Sequence, residues 1–141
     1  MPPRFVDASV FVHAYLRPKR ELKSHERQLK SHARGIMTRI NEGEEVLTSV
    51  VHVSEVANLL EAWMPLEDAR AVLQGLCTRE TIKVLPAERR DLIEALAVGS
   101  ETRVGMSDAL AVVLMRTAEV SDVYSFDKDF DRFDGIQRVS Q

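Results

Sequence analysis

Apolar positions along this chain follow two rhythms. Short apolar blocks bounded by charged residues, proline or aspartate read as buried strands: RFV near the start, EVLTSV at 45–50, TIKVLP at 81–86 and DVYSF at 122–126, with IQRVS at 136–140 as a candidate last strand. Between them lie stretches with helical spacing. SVFVHAYL at 9–16 predicts a first helix that Arg17-Pro18 ends, because proline disfavours helix at the residue before it. VHVSEVANLLEAWM at 51–64 is amphipathic, with Val53, Val56, Leu60 and Trp63 or Met64 near helical period, and Pro65 stops it. LEDARAVLQGLC and AERRDLIEALAVGSE predict two more helices. After Gly105, SDALAVVLMRTAE is apolar over most of its surface and predicts a buried helix. Strands alternating with helices argue for an α/β domain around a mainly parallel sheet of four to five short strands, covered on both faces.

A more polar helical segment is expected from about Lys19 to Asn41. It contains a heptad-spaced repeat, LKSHERQ then LKSHARG, too short to imply a repeat protein. Leu22, Leu29, Ile36 and Ile40 would form its narrow apolar stripe. The segment also changes the reading of charge. The whole chain is −3, but Arg17–Arg34 carries net +5, leaving −8 on the remainder. A basic face of this kind on an acidic protein suits a polyanion, with Lys23, Arg27, Lys30 and Arg34 as candidate phosphate contacts. A solvated helix face is the competing reading, and His25 and His32 share that ambiguity.

The 141 residues suit one domain, 1–141, with a real core. One cysteine, Cys77, excludes an internal disulfide; its apolar neighbours predict a buried position. The opening MPPRFVDAS lacks the pattern of a secretory signal, and no apolar run reaches the roughly 18 residues of a membrane span. A soluble, cytoplasmic protein is expected, without a membrane partner.

The chemistry lies in the acids. YSFDKDFDRFDG places Asp127, Asp129, Asp131 and Asp134 close together, but it is no EF-hand loop: Arg132 and Arg138 stand where the turn glycine and the closing glutamate belong. Asp7 ends the first strand, Glu55 lies a turn into the helix after the second, Asp108 opens the buried helix, and Asp127 follows VYSF. All four map to the carboxyl edge of a parallel sheet, where α/β proteins bind ligands. Singly, each also reads as a cap, turn or solvated acid. Jointly they need a cation, because two carboxylates about 5 Å apart repel by roughly 3 kcal/mol at an effective dielectric near 20. Oxygen donors without His or Cys suit Mg²⁺ or Mn²⁺ and phosphoryl chemistry by activated water. No G-x-S-x-G, P-loop or dinucleotide fingerprint offers a rival chemistry.

In that order and spacing, FVDASVFVHAYL, SVVHVSEVANLL, GMSDALAVVLMR and YSFDKDF resemble the PIN-domain nucleases, and among them the small VapC-type toxins of toxin–antitoxin pairs. The likeness covers nearly the whole chain. It implies a three-layer α/β/α PIN fold and a Mg²⁺- or Mn²⁺-dependent endoribonuclease that cleaves RNA by water attack on a phosphodiester. It places the catalytic and metal-binding acids at Asp7, Glu55, Asp108 and Asp127, with Asp129 as an alternative last ligand and Ser9 and Ser125 supporting the site. It implies an RNA substrate, a protein antitoxin and a homodimer, with Trp63 or Met64 expected at or near the interface. The basic helical segment at about 17–43 departs from the compact toxins. A PIN-type RNA-processing nuclease without antitoxin, and a non-catalytic PIN-like interaction domain, remain alternatives.

Overall fold

The computed structural model describes residues 2–141. Five strands form one parallel sheet in the order β3-β2-β1-β4-β5: β1 (Arg4–Val6), β2 (Val46–Ser49), β3 (Ile82–Leu85), β4 (Asp122–Tyr124) and β5 (Gln137–Val139). Consecutive strand residues point to opposite faces, and here both faces are buried. Phe5, Leu47 and Val123 pack into one apolar cluster; their neighbours Val6, Val46 and Tyr124 pack into the other.

The second cluster is closed by α1 (Ala8–Tyr15), α2 (Ser24–Asn41), α3 (Val50–Trp63) and α4 (Leu66–Thr78). The first is closed by α5 (Arg89–Thr102), α6 (Met106–Thr117) and a short 3-10 helix, Lys128–Arg132. The result is three layers, α/β/α. In α6 every residue from Ala109 to Met115 is buried, as its all-round apolarity requires. Phe130 and Phe133 are buried too, anchoring the acidic C-terminal turn.

The chain builds β1, β2 and β3 outward in one direction, then crosses back to lay β4 beside β1. Neighbouring strands whose connections leave in opposite directions open a crevice at their carboxyl ends. Asp7 follows β1 and Asp127 lies just beyond β4, so both acids flank that crevice.

Three local expectations are corrected. The helix expected from about Lys19 starts at Ser24, because Glu26 accepts the Lys23 backbone N–H (3.1 Å) while Arg20 grips its carboxylate from outside (2.7 and 2.8 Å). Leu22 thus precedes α2, and the buried stripe is Ala33, Ile36, Met37 and Ile40. In α3 the buried stripe is His52, Val56 and Leu60, so Trp63 at its end points outward, 63% exposed. Cys77 is exposed, because its neighbour Leu76 takes the inward position of α4.

Candidate metal centre

Asp7 caps the start of α1 with its backbone and is 4% exposed. Its Oδ2 accepts the hydroxyls of Ser9 and Ser125, each at 2.9 Å. Those hydroxyl oxygens in turn accept backbone N–H groups, Ser9 from Phe126 (3.3 Å) and Ser125 from Asp127 (2.9 Å). Two serines from opposite ends of the chain thereby join the ends of β1 and β4 around one buried carboxylate.

Asp127 caps the 3-10 helix, accepting the Asp129 N–H on Oδ1 at 2.9 Å. That tight turn brings both side chains to Asp108 in the first turn of α6. Asp108, Asp127 and Asp129 each offer an oxygen within 4.8 Å of the others. Asp7 and Glu55 are not members of this close group. The Asp7 charge still reaches Asp108 and Glu55, and the Asp127 charge reaches both as well.

The electrostatics record the crowding. The Asp108 carboxyl is pushed up to about 8, first by burial, then by Asp7, by its hydrogen bond with Asp127 and by the charges of Asp127 and Asp129. Glu55, half-buried, is also raised, by burial and then by Asp7 and Asp127. Without a cation, this site holds protons that ordinary carboxylates release. An all-oxygen donor set in that state fits a hard divalent ion such as Mg²⁺ or Mn²⁺.

Two residues beside the acids escape motif reading. Arg132 donates to the carbonyl of Arg103 (3.0 Å) and, more weakly, of Thr102 (3.4 Å), and its Nε lies 3.8 Å from Asp129. It links the Asp129 turn to the end of α5; the Asp-x-x-Arg spacing is its only trace in sequence. His52 bonds the carbonyl of Ser107, next to Asp108 (3.1 Å). Its sequence signal is a histidine occupying a buried position of an apolar stripe.

The basic candidates divide. Lys30 reaches the end of α1 and donates to the carbonyls of Leu16 (2.8 Å), His13 (3.4 Å) and Ala14 (3.5 Å). A cation at a helix C-terminus satisfies orphan carbonyls and the dipole. Burial, with Arg34 and Arg17 nearby, lowers its pKa. Lys30 therefore does local structural work at the end of α1 away from Asp7. Arg27 donates to the Leu22 carbonyl (2.9 Å), while Lys23 and Arg34 are exposed.

The PIN domain family model matches residues 4–136. No curated protein sequence matches the chain. Among solved structures, VapC20 of Mycobacterium tuberculosis, a sarcin–ricin loop cleaving toxin, is similar with a TM-score of 0.69 at 19% identity, over 90% of this chain and 92% of that one. PAE2754 from Pyrobaculum aerophilum gives 0.65 at 18%, over 97% and 83%. VapBC2 from Rickettsia felis, bound to a DNA fragment from its promoter, gives 0.66 at 11%, over 96% of both. At these identities the structural likeness speaks to fold.

Proposed function

The chain belongs to the PIN domain family, and from that membership we propose that it is a divalent-metal-dependent endoribonuclease, the toxin of a toxin–antitoxin pair. The observation that carries this reading is the convergence of Asp108, Asp127 and Asp129 within 4.8 Å at the crevice between β1 and β4, beside buried Asp7. Asp108, Asp127 and Asp129 would hold Mg²⁺ or Mn²⁺, with Asp7 and Glu55 completing the acidic field. When bound, the ion supplies charge neutralisation at the scissile phosphate and acidifies water. The protein's part is to hold these carboxylates ready. Asp7, fixed by Ser9 and Ser125, sets the distance between the β1 and β4 ends. Glu55, with its raised pKa, would take up a proton from attacking water.

A structural neighbour that cleaves the sarcin–ricin loop supports an RNA substrate, and the toxin fold supports a protein antitoxin and action in the cytoplasm. Among the described residues no helix is long and apolar enough to cross a membrane. The test is cleavage of a panel of structured RNAs by the purified protein. Mn²⁺- or Mg²⁺-dependent cutting that EDTA stops and Asp108→Asn abolishes, with the circular dichroism spectrum unchanged, is the expected outcome. Undiminished cutting by Asp108→Asn would remove the site from the reaction.

A further inference from the structure

We propose that His52 is a positioning residue that locks the first turn of α6, with Asp108, against the first turns of α3, which carry Glu55. The inference rests on the metal-site reading above. His52 is fully buried and meets Phe5 edge-on, with ring centroids 5.1 Å apart. Its Nε2 lies 3.1 Å from the Ser107 carbonyl, and its Nδ1 lies 2.6 Å from Ser49 Oγ.

The protons on this chain of bonds are determined by valence. A carbonyl only accepts, so Nε2 carries the hydrogen and donates to Ser107. Nδ1 of the neutral ring then accepts the Ser49 hydroxyl proton. The Ser49 oxygen, in turn, accepts the backbone N–H of His52 at 3.2 Å and so caps α3. Every polar atom of the ring is satisfied, and the neutral state agrees with a pKa lowered by burial.

The start of α6 needs such an external hold. Its N-cap is Gly105, which has no side chain to fix the turn. Asp108, three residues on, must be held where its carboxylate lies within 4.8 Å of those of Asp127 and Asp129. Two carboxylate-bearing helices from different parts of the chain converge here: Glu55 and Ser107 line the same shallow surface pocket with Ser54 and Asn58. His52 sits one turn before Glu55 and touches the residue before Asp108. It thus ties the two acids to one frame, the role that outer residues play in fixing metal ligands.

The experiment uses the full chain with His52→Leu, His52→Gln and Ser49→Ala. Hydrogen exchange of residues 103–109 is followed without metal, Mn²⁺ affinity by calorimetry, and kcat and KM on a cleaved RNA. In His52→Leu we expect a native circular dichroism spectrum, faster exchange at 103–109, Mn²⁺ affinity lower by about 10- to 100-fold, and a fall in kcat with KM little changed. The amide of His52→Gln can still donate to Ser107 and should recover most of each loss, while Ser49→Ala should fall between. Unchanged exchange and Mn²⁺ affinity in His52→Leu, or a Gln variant as impaired as the Leu variant, overturns the positioning role. If the wild-type chain binds no Mn²⁺, the metal reading fails, and the exchange data alone decide for or against the His52 lock. If His52→Leu does not fold, Ser49→Ala decides by the same exchange measurement.

Discussion

Asp108 is the residue at which burial and like charge meet most strongly, and its proton makes the site visible without substrate. Its carboxyl titrates near 8 in the folded protein but near 4 in an unfolded chain. Between those values the folded state holds a proton that the unfolded state lacks, so raising the pH favours unfolding. The contribution is complete below about pH 4 and is lost as pH rises through about 8. Glu55 shifts in the same direction. Metal-free protein should therefore show a melting temperature that falls from pH 7 to pH 8.5, above the range in which His13 and His52, both lowered by burial, act in the opposite direction. Mn²⁺ should restore it at the high end, and Asp108→Asn should flatten the fall. A melting temperature that rises over this range in EDTA would contradict the protonated site.

At the scale of elements, the α5–α6 hairpin decides where Asp108 stands. α5 ends with Arg103 in the left-handed region, φ 61°, and the Val104 N–H returns to the Gly99 carbonyl at 3.0 Å. A Cβ on Gly99 would lie 2.8 Å from the Val104 carbonyl oxygen and 3.4 Å from the Ala109 Cβ, so the hairpin closes only around glycine. Gly99→Ala should destabilise the fold by about 1–3 kcal/mol, the usual cost of overpacking. It should also weaken Mn²⁺ binding, because the shift propagates to Ala109 and its neighbour Asp108. Thermal melts and Mn²⁺ titration of the variant check both. Lys30 serves the α1 carbonyls, so Lys30→Ala should cost about 1 kcal/mol in a denaturant melt and leave the salt dependence of RNA binding unchanged.

For the whole molecule, the uneven charge bears on RNA. If RNA lies along the exposed part of the basic segment, Lys23→Ala with Arg34→Ala should weaken binding to different RNAs about equally. The salt dependence should flatten by roughly 0.7 log units per lost phosphate contact. A binding isotherm repeated across a salt series measures this, and an unchanged slope removes these residues from the RNA surface. The exposed Trp63, beside exposed Leu59 and Leu66, supports self-association through the α3–α4 corner. Closed two-fold dimers are the commonest assembly. Light scattering at tens of micromolar should give twice the chain mass, and Trp63→Asp should return it to one.

The sequence by itself determined the order and type of the elements, because strand blocks and helical stripes are local patterns that one-dimensional spacing preserves. It determined that Asp7 and Asp127 follow buried strands and that Asp108 opens a buried helix, since each interrupts or opens an apolar run. It marked the buried α6 through apolarity on every side. Other features depended on residues far apart in the chain. That β4 lies beside β1, making Asp127 a neighbour of Asp7, follows from strand order, which local periodicity does not encode. Cys77 shows the same limit at a single position: apolar neighbours predict burial, but the neighbouring elements decide which side of a helix is covered. Lys30 is a candidate RNA contact by its charge, and only the tertiary contact brings it to the carbonyls at the end of α1. His52 is buried, but only the meeting of the first turns of α3 and α6 supplied Ser107, because a hydrogen bond between residues 55 positions apart leaves no periodic trace in the chain.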